Sequence, residues 1–312
     1  MSLSALVVRR LLSAIPLLLG VMLLTFALVR GAGGSPFTPP PGYVQAGEAH
    51  KRTLERFYRL DEPWPVEFAV YVKHVVTFDF GPSLVLRNLD VDALIRESVP
   101  MTLKLVLLAA VWAFPVGMLL GLWAAARRNS LVDLLATSTA SVFLFVPVFF
   151  VAFVLHKYLV VEWSLVPPGF ATWNARILPA LALGLGLAGY VGLLVRTAVV
   201  EALSEDYVRT ARAKGLRERR VLYVHVLRNS LVPVLSAAIP MVALLITGAF
   251  FVENAFRIPG ASFYFIEAAR LRDYPVILNL TVVFAAIVVI ANTIADILVA
   301  LFDPRIREQM RA

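Results

Sequence analysis

Six apolar runs separated by short polar connections dominate the chain, at residues 11–29, 103–126, 131–161, 177–200, 231–251 and 276–302. A helix needs about 20 apolar residues to cross a hydrocarbon core of about 30 Å, and each run is long enough. The pattern predicts an all-α polytopic membrane protein with six transmembrane helices. The third run contains Pro147, which predicts a kinked or tilted helix there. The first run follows Arg9 and Arg10 and is longer than a signal-peptide core, so a retained helix is expected rather than a cleaved leader.

A polar excursion at 31–99 interrupts the apolar pattern. It opens with Pro36, Pro39, Pro40, Pro41 and Gly42, which disfavour helix. Apolar spacing then predicts one short amphipathic helix through Leu54, Phe57 and Tyr58, and a second through Val66, Phe68, Tyr71 and Val75. Residues 78–83 read as a turn. The excursion is too short to hold an enzyme domain with its own core, and a cap or partner-binding platform fits its length. The chain therefore divides into a first helix (1–30), this loop (31–99), a five-helix core (100–302) containing a polar loop at 201–229, and a tail (303–312).

Charge placement orients the helices. Arg9 and Arg10, Arg127 and Arg128, a basic set between spans four and five, and Arg305, Arg307 and Arg311 all fall on one side of a six-span chain. Cytoplasmic loops carry the excess of Lys and Arg, so both termini are expected inside and 31–99 outside. Trp64, Trp163 and Trp173 then lie outside or at the outer interface.

Composition supports the membrane class: 60% of residues are hydrophobic and 16% charged, and the mean hydropathy is +0.80. The net charge of +8 sits in short loops without an aromatic-laced soluble domain, which argues against nucleic acid as a partner. There is no Cys, which excludes disulfides and thiolate chemistry. No Gly-Lys pair exists, so the chain carries no phosphate-binding loop and cannot itself be a P-loop ATPase. The four His are scattered without metal-ligand spacing. Ser141 and His156 lack the turn that a serine hydrolase would need. No catalytic residue, cofactor site or metal site is expected.

The polar loop is the most specific feature. Arg209, Arg212, Lys214, Arg217, Arg219, Arg220 and Arg228 lie between two apolar runs. A charge at the centre of a membrane helix costs roughly 2.5–3.5 kcal/mol, so the loop must leave the bilayer. Glu205 and Asp206 open a segment that Arg209, Arg212 and Lys214 close, and Gly215 follows. Acids first, bases last and Gly at the end predict a short helix over 205–214, with a second helix running from Arg217 into span five.

The stretch Arg209-Thr210-Ala211-Arg212-Ala213-Lys214-Gly215-Leu216 resembles the signature loop of binding-protein-dependent ABC importer permeases, in the form typical of the dipeptide/oligopeptide branch. The resemblance continues through 225–233, and through 34–38, 59–63, 79–83, 251–260, 272–275 and 303–307. It covers nearly the whole chain and is similar to the first, "B"-type, permease of such systems. The Pro-rich insert at 39–41 departs from the pattern. The resemblance implies a type I importer permease in a bacterial or archaeal cell membrane. It implies a second permease subunit, two cytoplasmic ATPases that hold ATP and Mg, and an external substrate-binding protein. It implies ATPase coupling through Arg209, Thr210, Ala211, Arg212, Lys214, Gly215 and Arg219. Of these, Arg209, Ala211 and Gly215 form the expected docking core, and Arg212, Lys214 and Arg219 the expected charge partners of acidic ATPase groups.

Gly117-xxx-Gly121 and Ala188-xxx-Gly192 mark possible close helix contacts. Asp296, Asn292 and Ser236 are candidate intramembrane polar residues, with Asp296 placed to pair with an Arg or cap a helix near the end of its span. Arg196 and Lys104 are expected to snorkel. The alternative function is an autonomous secondary transporter or channel, which predicts buried midplane charges and paired broken helices. The transported substrate stays open: peptides, nickel chelates or oligosaccharides.

Overall fold

The structure is a computed structural model and describes residues 3–31, 48–85 and 89–302. Its helices are α1 (Leu3–Gly31), α2 (Glu48–Tyr58), α3 (Trp64–Thr77), α4 (Val91–Ala126), α5 (Leu131–Phe145), α6 (Val148–Leu155), α7 (Trp173–Leu203) and α8 (Asp206–Ala213). These are followed by α9 (Glu218–Arg220), α10 (Leu227–Phe256), α11 (Ala261–Leu271) and α12 (Tyr274–Phe302). Two π-helical segments extend this set: His156–Glu162 continues α6, and Val221–Val226 joins α9 to α10. The expected motif segments at 34–38, 39–41 and 303–307 lie outside the described residues.

Among the described residues, five helices are long and apolar enough to cross a membrane, or six if the bent pair of α5 and α6 with its π-helical extension counts as one span. The expected kink at Pro147 is a break of 93°. Pro147 lacks an N–H, and it holds Val146 in extended backbone (ψ 123°), so α5 ends there and α6 restarts at Val148. At 15 residues, α5 is only about 22 Å long, short of a full bilayer core. Large apolar side chains on α1, α4 and α5 stay exposed, among them Leu12, Leu24, Val111, Trp123 and Phe145, as expected of faces that meet lipid or other membrane helices.

The chain forms two compact units, each assembled from separated stretches of sequence. Unit 1 comprises Met1–Val7, Lys104–Arg257 and Ile290–Ala312; unit 2 comprises Val8–Leu103 and Ile258–Val289. Three of their boundaries fall inside α1, α4 and α12, and the fourth between α10 and α11.

Unit 1 is packed through glycines of α4 and α7. A Cβ added to Gly117 would lie 2.5 Å from the Ala188 carbonyl oxygen, and one added to Gly121 would lie 2.5 Å from that of Gly192. The two small-residue motifs therefore meet each other, α4 against α7. Gly189 faces α5 in the same way, 2.3 Å from the Ala140 oxygen, and Gly184 admits the Trp112 indole. The indole Nε1–H then donates to the Ala180 carbonyl at 2.8 Å. In the membrane, where burial against another helix gains little over burial in lipid, such close backbone approach is a main source of cohesion.

Unit 2 is held by aromatic packing and long-range polar contacts. Met22 and Phe26 of α1, Tyr71 of α3, and Leu278 and Val282 of α12 form its apolar cluster. The Tyr71 hydroxyl donates to the Leu278 carbonyl at 3.1 Å. Asp273, 1% exposed, accepts from the Ser83 hydroxyl and from the Leu84 N–H at 3.2 Å. The 31–99 excursion thus contributes α3 to a core shared with α1 and α12 instead of standing alone. The hydropathy pattern did not reveal α11, which is too short to cross a membrane; Gly260 precedes it and Arg272, with φ 58°, ends it.

Candidate functional site: the basic loop

The loop between α7 and α10 begins at α8, one residue shorter at each end than the 205–214 helix expected from charge. Glu205, in extended backbone, starts it without a side-chain cap, and its carbonyl accepts from the Val208 N–H at 3.1 Å. The C-terminus is a complete Schellman motif. The Leu216 N–H reaches the Ala211 carbonyl at 3.3 Å, and the Gly215 N–H reaches that of Arg212 at 2.9 Å. Gly215 has φ +76°, and nothing lies within 4 Å of where its Cβ would be. Glycine is needed here for conformation, not for space.

One face of α8 is packed and the other is open. Val208 is fully buried and Ala211 is 7% exposed, so Ala211 belongs to the face that anchors α8 and is not itself available for docking. Arg209, Thr210, Arg212, Lys214 and Gly215 are exposed. The Thr210 hydroxyl donates to the Asp206 carbonyl at 3.0 Å, and Arg209 reaches the Asp206 carboxylate at 3.4 Å. Arg212 makes a two-point bond to Glu218, at 2.8 and 3.2 Å. That fork closes the turn, so Arg212 meets an acid within the loop before it can meet one on another chain. The side chains of Arg219 and Arg228 lie outside the described set. From Glu218 the chain is helical without interruption to Phe256, through the π segment, as the expected second helix requires.

A second arrangement supports the loop from within unit 1. The carboxylate of Asp133 on α5 receives both Nε and Nη2 of Arg196 on α7, at 2.7 and 2.9 Å, and the Asn129 N–H at 3.0 Å. Asp133 is 5% exposed. Ser130 caps α5 by accepting the Asp133 N–H. Arg196 thus does not snorkel as expected: its fork is engaged by a buried carboxylate that ties α5 to α7, two turns before α7 ends. The sequence shows an Asp at 133 just after a basic pair, but not that it faces α7.

The other polar candidates are dispersed. Asp296 and Asn292 on α12 and Ser236 on α10 are half-buried. The Ser141 hydroxyl donates to the Thr137 carbonyl, and the His156 ring packs edge-on against Phe256. Glu253, at the end of α10, is fully buried, which its place in the 251–260 segment does not reveal. An apolar cavity of about 290 Å³ opens at the α5–α6 break, bounded by Phe145, Pro147, Leu183, Met241 and Gly248.

Residues 117–308 match the family model described as binding-protein-dependent transport system inner membrane component. The chain belongs to that family. It is 38% identical over 293 residues to the dipeptide transport system permease protein DppB of Bacillus subtilis, covering 93% of this chain and 94% of that one. It is 36% identical over 316 residues to the oligopeptide transport system permease protein AppB of the same organism, covering 97% and 99%. Among solved structures, an inward-facing form of the MetNI methionine ABC transporter superposes with a TM-score of 0.57 at 16% identity, over 67% of this chain and 96% of that one. The fold is therefore that of an ABC importer permease, all-α and multi-pass, and the matched region contains the basic loop.

Proposed function

We propose that the chain is the B-type permease subunit of an ABC importer for peptides. It forms the translocation pathway with a second, homologous permease and is not itself an enzyme. Two cytoplasmic ATPases hold the ATP and Mg, an external binding protein delivers the peptide, and no cofactor or nucleic acid is bound by this chain. Both termini and α8 face the cytoplasm, following the one-sided placement of Arg and Lys. The observation that carries the reading is α8: a short helix closed by a Schellman turn at Gly215, with a packed underside and an open basic face, set between two long helices in a chain of this family.

Mechanically, α8 is suited to transmit a push. Its buried face anchors it, the Arg212–Glu218 fork links it to α9, which runs on into α10, and the Asp133–Arg196 pair ties α7 to α5. A displacement of an ATPase against Arg209, Thr210 and Lys214 would therefore shift packed helices between discrete arrangements instead of bending a loop. The apolar cavity at the α5–α6 break offers no polar recognition of its own, in keeping with selection by a separate binding protein.

The test is a mild-detergent pull-down of the tagged chain from its native host, with mass spectrometry of the co-eluting proteins. Near-equal amounts of a second six-span permease and of ATPase subunits are expected. A folded chain that elutes alone or as a homo-oligomer would overturn the proposal and favour an autonomous transporter or channel. In the reconstituted complex, Gly215→Pro should leave ATP hydrolysis measurable while peptide uptake falls at least tenfold; unchanged uptake would remove α8 from the coupling path.

A further inference from the structure

Residues of unit 2 line a half-open cavity of about 370 Å³, within the size range of small-molecule sites. Its floor is apolar, with Phe26 of α1, Tyr71 of α3 and Leu278 of α12. At its edge on α12 stands Asn279, only 3% exposed. The Asn279 Nδ2 donates to the Pro275 carbonyl at 2.9 Å, which fixes the amide orientation and leaves Oδ1 as the free acceptor. That Oδ1 is buried and accepts no hydrogen bond among the described residues. A buried acceptor of this kind, on the wall of a cavity, marks where a donor is missing.

The charges around the rim specify which donor. Arg30 pairs with Glu67, and Lys51 pairs with Glu55 at 3.7 Å, so both cations of the lining are engaged. Asp61 also lines the cavity and has no ionic partner among the described residues. The lining therefore carries one carboxylate in excess, together with one orphaned carbonyl acceptor and an apolar floor. An anionic ligand would meet Asp61 unfavourably. A ligand with no N–H or O–H would leave Asn279 unsatisfied.

We infer that this cavity is a binding site for a primary ammonium group carried on an apolar body, with the ammonium donating to Asn279 Oδ1, Asp61 balancing its charge and the apolar part lying on Phe26, Tyr71 and Leu278. The same chemistry is found in the amino terminus of a short apolar peptide and in the ethanolamine headgroup of a phospholipid. The site needs only the residues of unit 2, and it stands or falls independently of the transport reading.

The experiment uses the full chain in phosphatidylglycerol nanodiscs, which contain no amine. Leucyl-leucinamide is titrated calorimetrically, with N-acetyl-leucyl-leucinamide as the ammonium-free control. A diazirine-bearing leucyl-leucinamide is photo-crosslinked and the adducts are mapped by mass spectrometry. Saturable binding is expected, weakened at least tenfold by acetylation, by Asn279→Leu and by Asp61→Asn, with adducts on Phe26, Tyr71 or Leu278. Asp61 is exposed, so Asp61→Asn leaves folding intact and keeps the test decisive if Asn279→Leu misfolds. Adducts confined to unit 1, or binding indifferent to acetylation and to Asp61→Asn, would overturn the inference. Replacing part of the lipid with phosphatidylethanolamine separates the sources. Competition by that lipid but not by phosphatidylcholine identifies the headgroup, and absence of competition identifies the free amine.

Discussion

The two units solve the same problem with opposite means. Unit 1 brings helices together by removing side chains: Gly117, Gly121, Gly184 and Gly189 let α4 and α5 approach α7 until backbone oxygens lie where a Cβ would be. Unit 2 brings segments together by adding side-chain contacts, with Tyr71 bonded to a helix carbonyl and Asp273 holding the 83–84 turn across nearly two hundred residues of chain. The difference shows what each can tolerate. Glycine contacts have no slack, because both partners are backbone. Side-chain contacts can adjust, and they leave room for a cavity with polar walls.

The sharpest way to break this contrast is Gly189→Val. Its Cβ would fall 2.3 Å from one backbone oxygen and 2.7 Å from the Leu144 nitrogen, neither of which can swing away. We expect a loss of about 3 kcal/mol or more, read as failure to recover monodisperse protein. The variant Phe68→Leu in unit 2, where the partners are side chains, should cost about 1 kcal/mol. Equal recoveries for the two variants would erase the distinction.

Next in size is Asp133→Ala, which strands the Arg196 guanidinium between α5 and α7. Removing one partner of a buried pair costs about 3–5 kcal/mol, and the 30% exposure of Arg196 places the expected value at the low end. The double variant Asp133→Ala/Arg196→Leu should recover much of the lost thermal stability; no recovery would show that the pair is not the source.

In unit 2, Asp273→Asn should cost about 1–3 kcal/mol, since an amide cannot accept at both oxygens. Burial pushes the Asp273 carboxyl above the ordinary aspartate range, while bonds from Ser83, Leu84, Val85 and Val276 pull it back down. The native state thus binds this proton more readily than the unfolded chain. The contribution of Asp273 to stability is largest below the unfolded value of about 3.9 and declines as pH rises through the folded value. Thermal melts of wild type and Asp273→Asn across acidic pH should differ in slope in that direction; parallel profiles would exclude the linkage.

The smallest effect is Arg212→Gln. The fork to Glu218 is exposed, and such pairs contribute about 0.2–1 kcal/mol. Local hydrogen exchange at 212–218 should quicken while global stability holds.

Much of unit 1 was legible because its signals are local. Apolar length gave the spans, the Gly-xxx-Gly spacing on α4 and the Ala-xxx-Gly spacing on α7 announced a close contact, and acid-first, base-last ordering with Gly215 gave α8 almost to the residue. What stayed hidden depends on faces and on distance along the chain. That Ala211 points inward and Arg212 turns to Glu218 requires the three-dimensional turn. That Arg196 meets Asp133, 63 residues away, is invisible to a periodicity, as is Ser83 meeting Asp273. The Pro147 signal gave a bend but not its size, because a proline fixes where a helix stops and the surrounding packing fixes where it resumes. The orphaned Oδ1 of Asn279 had no sequence signature, since an Asn inside an apolar helix is commonly bonded to its own backbone.

The Gly215 turn also carries a consequence of handedness. Its backbone occupies a region that is unfavourable for residues of one chirality and natural for those of the other, while the space around its α-carbon is empty. A D-alanine introduced there by semisynthesis would fit the existing turn and would restrict the unfolded chain more than glycine does. Its L-enantiomer, identical in every atom and bond, would strain the same turn. Of the two mirror-image methyl groups, one should stiffen the end of α8 and the other should loosen it.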